Sequence, residues 1–272
     1  MSAVVTDSGP VGQAPPVASP PVAAPRRRPV DPAARFRWLL LGAVVLGLAI
    51  RVAIGLTDDA ATTDETAYLR SGLSWANGDG FQRDGHPELH FPPFVPFVLG
   101  AASHLFDDPH DGTVALTALS GAALIVPLSL LARRIAGRPA GVATAWLAAV
   151  APGLATMPQL RGTGSEAQYT LLVMSAVWLT VSAADMAGRP RLVRVAGAGL
   201  LAGLAYLTRP EGLFVSVPLF LAVAYVAVRD RDRARPVPAA VAPTLAAFAL
   251  PLLLCVAPYA AYLHANTGRW EL

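Results

Sequence analysis

Residues 113–157 read TVALTALSGAALIVPLSLLARRIAGRPAGVATAWLAAVAPGLATM. Two apolar runs, 113–133 and 139–157, flank a short basic break that carries Arg133, Arg134 and Arg138. Each run is long enough, at about 1.5 Å per residue, to cross a hydrocarbon layer of about 30 Å. Three arginines between them suit a turn at a membrane surface and would be costly inside a core. The same alternation of apolar run and charged break recurs on both sides. Runs at 38–56, 168–186, 192–208, 211–228 and 236–263 bring the expected number of spans to seven. A shorter run, Pro93 to Phe106, opens with two prolines. It is too short to span and reads as an interfacial or re-entrant helix. The predicted fold is therefore all-α, a polytopic transmembrane helix bundle with amphipathic juxtamembrane helices in its first outer loop.

Composition agrees. Of 272 residues, 54% are hydrophobic and 14% charged, against about 25% charged in a soluble domain. A disordered chain, a coiled coil and an ordinary soluble enzyme are excluded. All 21 basic residues are Arg, and with the high Ala content this reads as the coding bias of a high-GC genome. The single cysteine, Cys255, lies in an apolar run and can form no intrachain disulfide. Residues 1–34, rich in Pro, Ala, Ser and Val, are predicted to form a disordered tail. Residues 35–272 form the membrane domain.

Arginine placement orients the chain. With the tail inside and 93–106 not spanning, the cytoplasmic side receives Arg26–Arg28, Arg35 and Arg37. It also receives Arg133, Arg134, Arg138, Arg189, Arg191, Arg194, Arg229, Arg231, Arg233 and Arg235. This is a strong positive-inside bias. The outer side then has one long loop, about 57–112, and short ones near 158–167, 209–211 and 264–272. Most acidic residues fall there, and any chemistry is expected to face outward.

Several outer residues are candidates for that chemistry. Residues 62–77 read as an amphipathic helix whose Tyr68, Leu69, Leu73 and Ala76 would lie on the bilayer surface. Asp64 and Glu65 occupy its first turn. Thr62 and Glu65 fit a capping box, while a carboxylate at this depth could also act as general base on an acceptor hydroxyl. Arg51, within the first span, either snorkels, pairs with Asp58 or Asp59, or holds a phosphate. Arg161, Glu166, Arg209 and Glu211 stand at outer helix ends, as a site for a phosphate and hydroxyl groups would require. His86, Glu88 and His90 alternate and, in an extended segment, would share one face as a weak candidate divalent-metal site. No Walker A motif, dinucleotide fingerprint or Gly-x-Ser-x-Gly occurs, and no nucleic-acid partner is indicated.

The order of these features resembles the GT-C superfamily of membrane glycosyltransferases. The features are an Arg near the outer end of the first span, then Asp64-Glu65-x-x-Tyr68, Gly78-Asp79-Gly80 and His90-Phe91-Pro92-Pro93-Phe94. Arg133-Arg134, Ser165-Glu166 and Thr208-Arg209-Pro210-Glu211-Gly212 follow. The nearest branch includes protein O-mannosyltransferases, aminoarabinose transferases and the bacterial RgtA/B/C/D-like enzymes. The resemblance covers about 36–272. It implies a bacterial plasma-membrane enzyme that moves a sugar from a polyprenyl-phosphate donor to a glycan, lipid or protein hydroxyl, with inversion, on the outer face. By the same resemblance, Asp64 and Glu65 are catalytic. Arg51, Tyr68, His90, Glu166, Arg209 and Glu211 bind substrate. No cofactor is implied beyond a possible divalent metal. Members of the superfamily continue with more spans, so this chain is expected to be an N-terminal portion. A transporter segment or a non-catalytic partner of a glycosylation complex are the alternatives. The near absence of charge within the spans speaks against transport.

Overall fold

The computed structural model describes residues 31–57, 62–155, 165–230 and 236–270. Among them are nine helices and one small hairpin. In chain order these are α1 (Pro32–Gly55), α2 (Thr63–Ala76), β1 (Gln82–Arg83), β2 (His86–Pro87) and α3 (Phe94–Ala102). Then come α4 (Pro109–Val150), α5 (Pro152–Ala155), α6 (Ser165–Ala183), α7 (Gly188–Thr208), α8 (Gly212–Arg229) and α9 (Val237–Thr267). The expected helical bundle is the observed architecture. The predicted tail falls largely on residues outside the described ones, but α1 starts inside its predicted end. Asp31 caps it by accepting from the Ala33 N–H at 3.0 Å, with Pro32 at the first helical position.

Among the described residues five helices, α1, α4, α7, α8 and α9, are long and apolar enough to cross a membrane. This is fewer than the seven spans expected, and α4 explains part of the difference. At 42 residues it would be about 63 Å long if straight, twice the thickness of a hydrocarbon core. It is not straight. Ala136 and Gly137 leave helical geometry, and Gly137 takes φ 84°, ψ −179°, a combination open essentially to glycine. The chain then doubles back. Ser129 Oγ donates to the Gly141 carbonyl at 2.8 Å, whereas an unbroken helix would hold these residues about 18 Å apart. Gly47 of α1 likewise faces both Ile125 and Ala149. The basic break of residues 133–138 is thus the turn of a helical hairpin.

Two packed groups make up the bundle. In the first, α1 lies along the α4 hairpin over Ala43, Ile125, Ala145, Ala148 and Ala149. In the second, α6, α7, α8 and α9 enclose a core that includes Ala176, Ala198, Leu219, Val223 and Phe248. Contact between α4 and α6 joins them. These alanine-rich seams let helices approach closely, as membrane helices do.

The bundle has two chemically distinct ends. At one, Arg133 stacks over Phe36, Arg134 pairs with Asp185, and Arg191 and Arg229 both pair with Asp230. Hydrogen bonding to Arg229, aided by Arg191, holds the Asp230 carboxyl down at about 2. The opposite end carries α2, the β-hairpin, α3 and most of the described acidic residues. There the Tyr262 hydroxyl of α9 donates to the Phe81 carbonyl at 2.7 Å. α3 is about 14 Å long, too short to span, as its sequence suggested. The apolar face of α2 departs from expectation. Tyr68 is buried with Val95 and Leu99 of α3, and Leu69 packs on the same cluster, so this face meets protein and not the bilayer.

Candidate active site

The site is built from the first turn of α2 outward. Thr62 accepts from the Glu65 N–H at 3.3 Å, which is one half of the capping box. The Glu65 side chain does not stay at the surface. It is completely buried, and its Oε1 lies 2.7 Å from His110 Nδ1 on the first turn of α4. Its Oε2 has no hydrogen-bond partner among the described residues. His110 is a residue that the local sequence did not single out. Its partner lies 45 positions away, and no short-range pattern signals such a pair. Asp64, one position earlier, is exposed and makes no hydrogen bond or ion pair among the described residues. The two neighbouring carboxylates therefore have opposite environments, one anchored inside and one free at the surface.

Tyr68, one turn further on, links this turn to the rest of the end. Its ring meets Phe91 edge-on at 4.8 Å, and Phe91 in turn meets the His90 ring at 4.6 Å. The Tyr68 side chain lies close to Ser165 at the start of α6, within the fields of Asp64, Arg209 and Glu166. Burial raises its pKa above the ordinary tyrosine value, so the phenol stays protonated.

Arg209 completes the arrangement. It is the C-cap residue of α7, and the Arg209-Pro210-Glu211 turn leads directly into α8. Its guanidinium donates to Ser165 Oγ at 3.3 Å and to Glu166 Oε1 at 2.8 Å, and lies 3.6 Å from Glu211 Oε2. Burial disfavours its charge, but Glu166 and Glu211 outweigh that and raise its pKa. Asp64, Tyr68, Glu166, Arg209 and Glu211 are thus brought to one place, with His90 at its edge. A free carboxylate, a neutral phenol and a cation shared by two carboxylates can together bind hydroxyl groups, accept a proton and hold an anion.

Two expectations need correction. Arg51 does not snorkel; its guanidinium is buried against backbone carbonyls. It is 1% exposed and donates to the carbonyls of Gly47, Ala148 and Leu154 at 2.9, 3.2 and 2.8 Å, with Ala149 O at 3.4 Å. It satisfies the carbonyl end of the α4 hairpin, where a cation is favoured. Its suggested partners Asp58 and Asp59 lie outside the described residues, as does Arg161. The alternating His86, Glu88 and His90 do not share a face. Glu88 is buried, with Oε2 3.1 Å from Arg83 Nε and from Ser71 Oγ, and Oε1 accepting from the His90 and Phe91 N–H groups. His86 and His90 are exposed. The reason is that the extended segment is short: β2 covers only His86–Pro87, paired with Gln82–Arg83 across the tight turn at Asp84 and Gly85, both with positive φ, and Glu88 lies beyond it. Glu88 holds the loop to α2, and no cluster of three or more metal-ligating side chains forms among the described residues.

No curated protein and no solved structure matches this chain. One family model does, that of the dolichyl-phosphate-mannose-protein mannosyltransferases, over residues 90–262. The matched region contains His90, Glu166, Arg209 and Glu211, while Arg51, Asp64, Glu65 and Tyr68 precede it. With well over half of its length matched and a polytopic helical fold, the chain belongs to this family of membrane glycosyltransferases.

Proposed function

We propose that the protein transfers a sugar from a polyprenyl-phosphate donor to an acceptor hydroxyl, on the outer face of the membrane and with inversion. The observation that carries this reading is the meeting of Asp64, Tyr68, Glu166, Arg209 and Glu211 at the acid-rich end. Asp64 is the base. Its carboxylate takes the proton of the acceptor hydroxyl as that oxygen attacks the anomeric carbon from the face opposite the phosphate. The bond from the anomeric carbon to the phosphate oxygen breaks, and the lipid phosphate leaves with both electrons. Arg209 receives that charge by exchanging one of its two carboxylates for the phosphate. Tyr68, kept neutral by burial, donates or accepts a hydrogen bond to a sugar hydroxyl. Glu65, fixed by His110, holds the first turn of α2 and with it Asp64.

The test is Asp64→Asn in membranes that express the complete gene. Transfer from a polyprenyl-phosphate sugar should fall by about 10²- to 10⁴-fold, the usual contribution of a general base. Unchanged transfer would remove Asp64 from the mechanism and with it the centre of this reading.

A further inference from the structure

The arginine-rich end holds a cleft that the transfer reaction does not use. Its volume is about 510 Å³. One wall is the face of α1 that carries Arg35, Phe36 and Leu39, and the other is the start of the second arm of α4, with Arg138, Pro139 and Val142. Three arginines at this end have carboxylate partners: Arg134 pairs with Asp185, and Arg191 and Arg229 with Asp230. Arg35 and Arg138 differ. Both are exposed, and neither makes a hydrogen bond or ion pair among the described residues. Phe36 in the cleft wall is itself stacked under Arg133, whose guanidinium lies 4.6 Å from the ring centre. The nearest carboxylate on α1, Asp31, is engaged on the Ala33 N–H. Depth is marked by Trp38, 70% exposed and nearly two turns into the helix, since an exposed tryptophan favours the headgroup layer.

From this arrangement we infer that the cleft binds one anionic phospholipid. The phosphodiester lies between Arg35 and Arg138, and the first part of an acyl chain lies on Phe36, Leu39 and Val142. Two unpaired guanidiniums over an apolar floor match a lipid headgroup joined to its chain. A soluble anion would leave the floor empty. The cleft lies at the opposite end of the bundle from the candidate active site, so the inference stands apart from the proposed transfer chemistry.

The test uses the full chain, purified and delipidated, then titrated with phosphatidylglycerol or phosphatidylcholine and read by native mass spectrometry. Wild type should retain phosphatidylglycerol and not phosphatidylcholine. Arg35→Gln with Arg138→Gln should weaken phosphatidylglycerol on the order of tenfold or more, at about 1 kcal/mol for each basic residue at a lipid surface. Arg134→Gln, whose cation is already paired, should leave it unchanged. Val142→Trp, which fills the cleft and keeps both arginines, should also weaken it, and it serves if the double variant does not fold. Equal binding of the two lipids, retention by the double variant and by Val142→Trp, or an equal loss in Arg134→Gln would each overturn the site.

Discussion

Arg51 shows how a single residue can be misread from sequence and why. A lone charge in an apolar span invites a functional reading, because charge in lipid is costly. The structure spends this charge on carbonyls near the end of α4, supplied by residues about a hundred positions later. Nothing near Arg51 in the sequence signals them. The space for the side chain is made by glycines: a Cβ at Gly121 would lie 2.5 Å from Arg51 Nε, and one at Gly47 would lie 2.9 Å from its terminal nitrogen. Replacing Arg51 with Leu should therefore leave several buried carbonyls unpaired. A loss of about 2–4 kcal/mol is expected after the relief of burying a charge is set against it. It would be measured as a lower Tm of the purified protein. The KM for the lipid donor should not move, which separates this structural role from phosphate binding. Glu65 makes the same point. The capping position of Thr62 was legible from the local pattern, whereas the inward turn of the Glu65 carboxylate toward His110 was not.

Among the elements, α4 was the most legible and α2 the least. The arginines at 133, 134 and 138 mark the α4 turn because three clustered charges are costly in the middle of a span. For α2 the helical period gave the apolar face correctly. The period carries no information about what covers that face, since lipid is as apolar as a leucine-rich helix. The backbones of α2 and α3 meet closely at Gly72 and Gly100, which fixes the answer as protein. In α4 the reversal rests on Gly137. Its φ of 84° with ψ of −179° is barely open to other residues, while the space around it is free, with Pro139 Cδ 3.9 Å from a Cβ placed there. Gly137→Ala should thus cost about 1–3 kcal/mol through backbone strain alone. A thermal melt against Gly153→Ala, whose added Cβ meets nothing within 4 Å, would check this. Equal melts would mean that the turn tolerates a side chain and that the reversal is held by packing instead.

At the scale of the whole molecule, the charge pattern sorts the structure into an arginine end and an acid-rich end, and the number of crossings decides which loops share a side. A single crossing by α4, with no crossing by α6, gives five spans, matching the helices that qualify by length and composition. Two crossings by the α4 hairpin and one by α6 give seven, the number read from the apolar runs. Both counts put the start of α7 on one side and the α7–α8 turn on the other, so those loops cannot distinguish them. Only the segment between α4 and α6 changes sides. Its Gly153 is exposed with free space around it, which makes it a suitable position for a reporter. In intact cells carrying Cys255→Ser as background, Gly153→Cys and Asp79→Cys should both react with a membrane-impermeant maleimide. Ala187→Cys should react only after lysis. Five spans would instead protect Gly153→Cys together with Ala187→Cys. The positive-inside bias and the reversal at Gly137 argue for seven. The same labelling bears on the proposed site, because Ser165 and Glu166 lie at the far end of this segment and contact Arg209. Placing Gly153 with Asp79 would put the α4–α6 segment on the side of the first loop, where Asp64 is proposed to act.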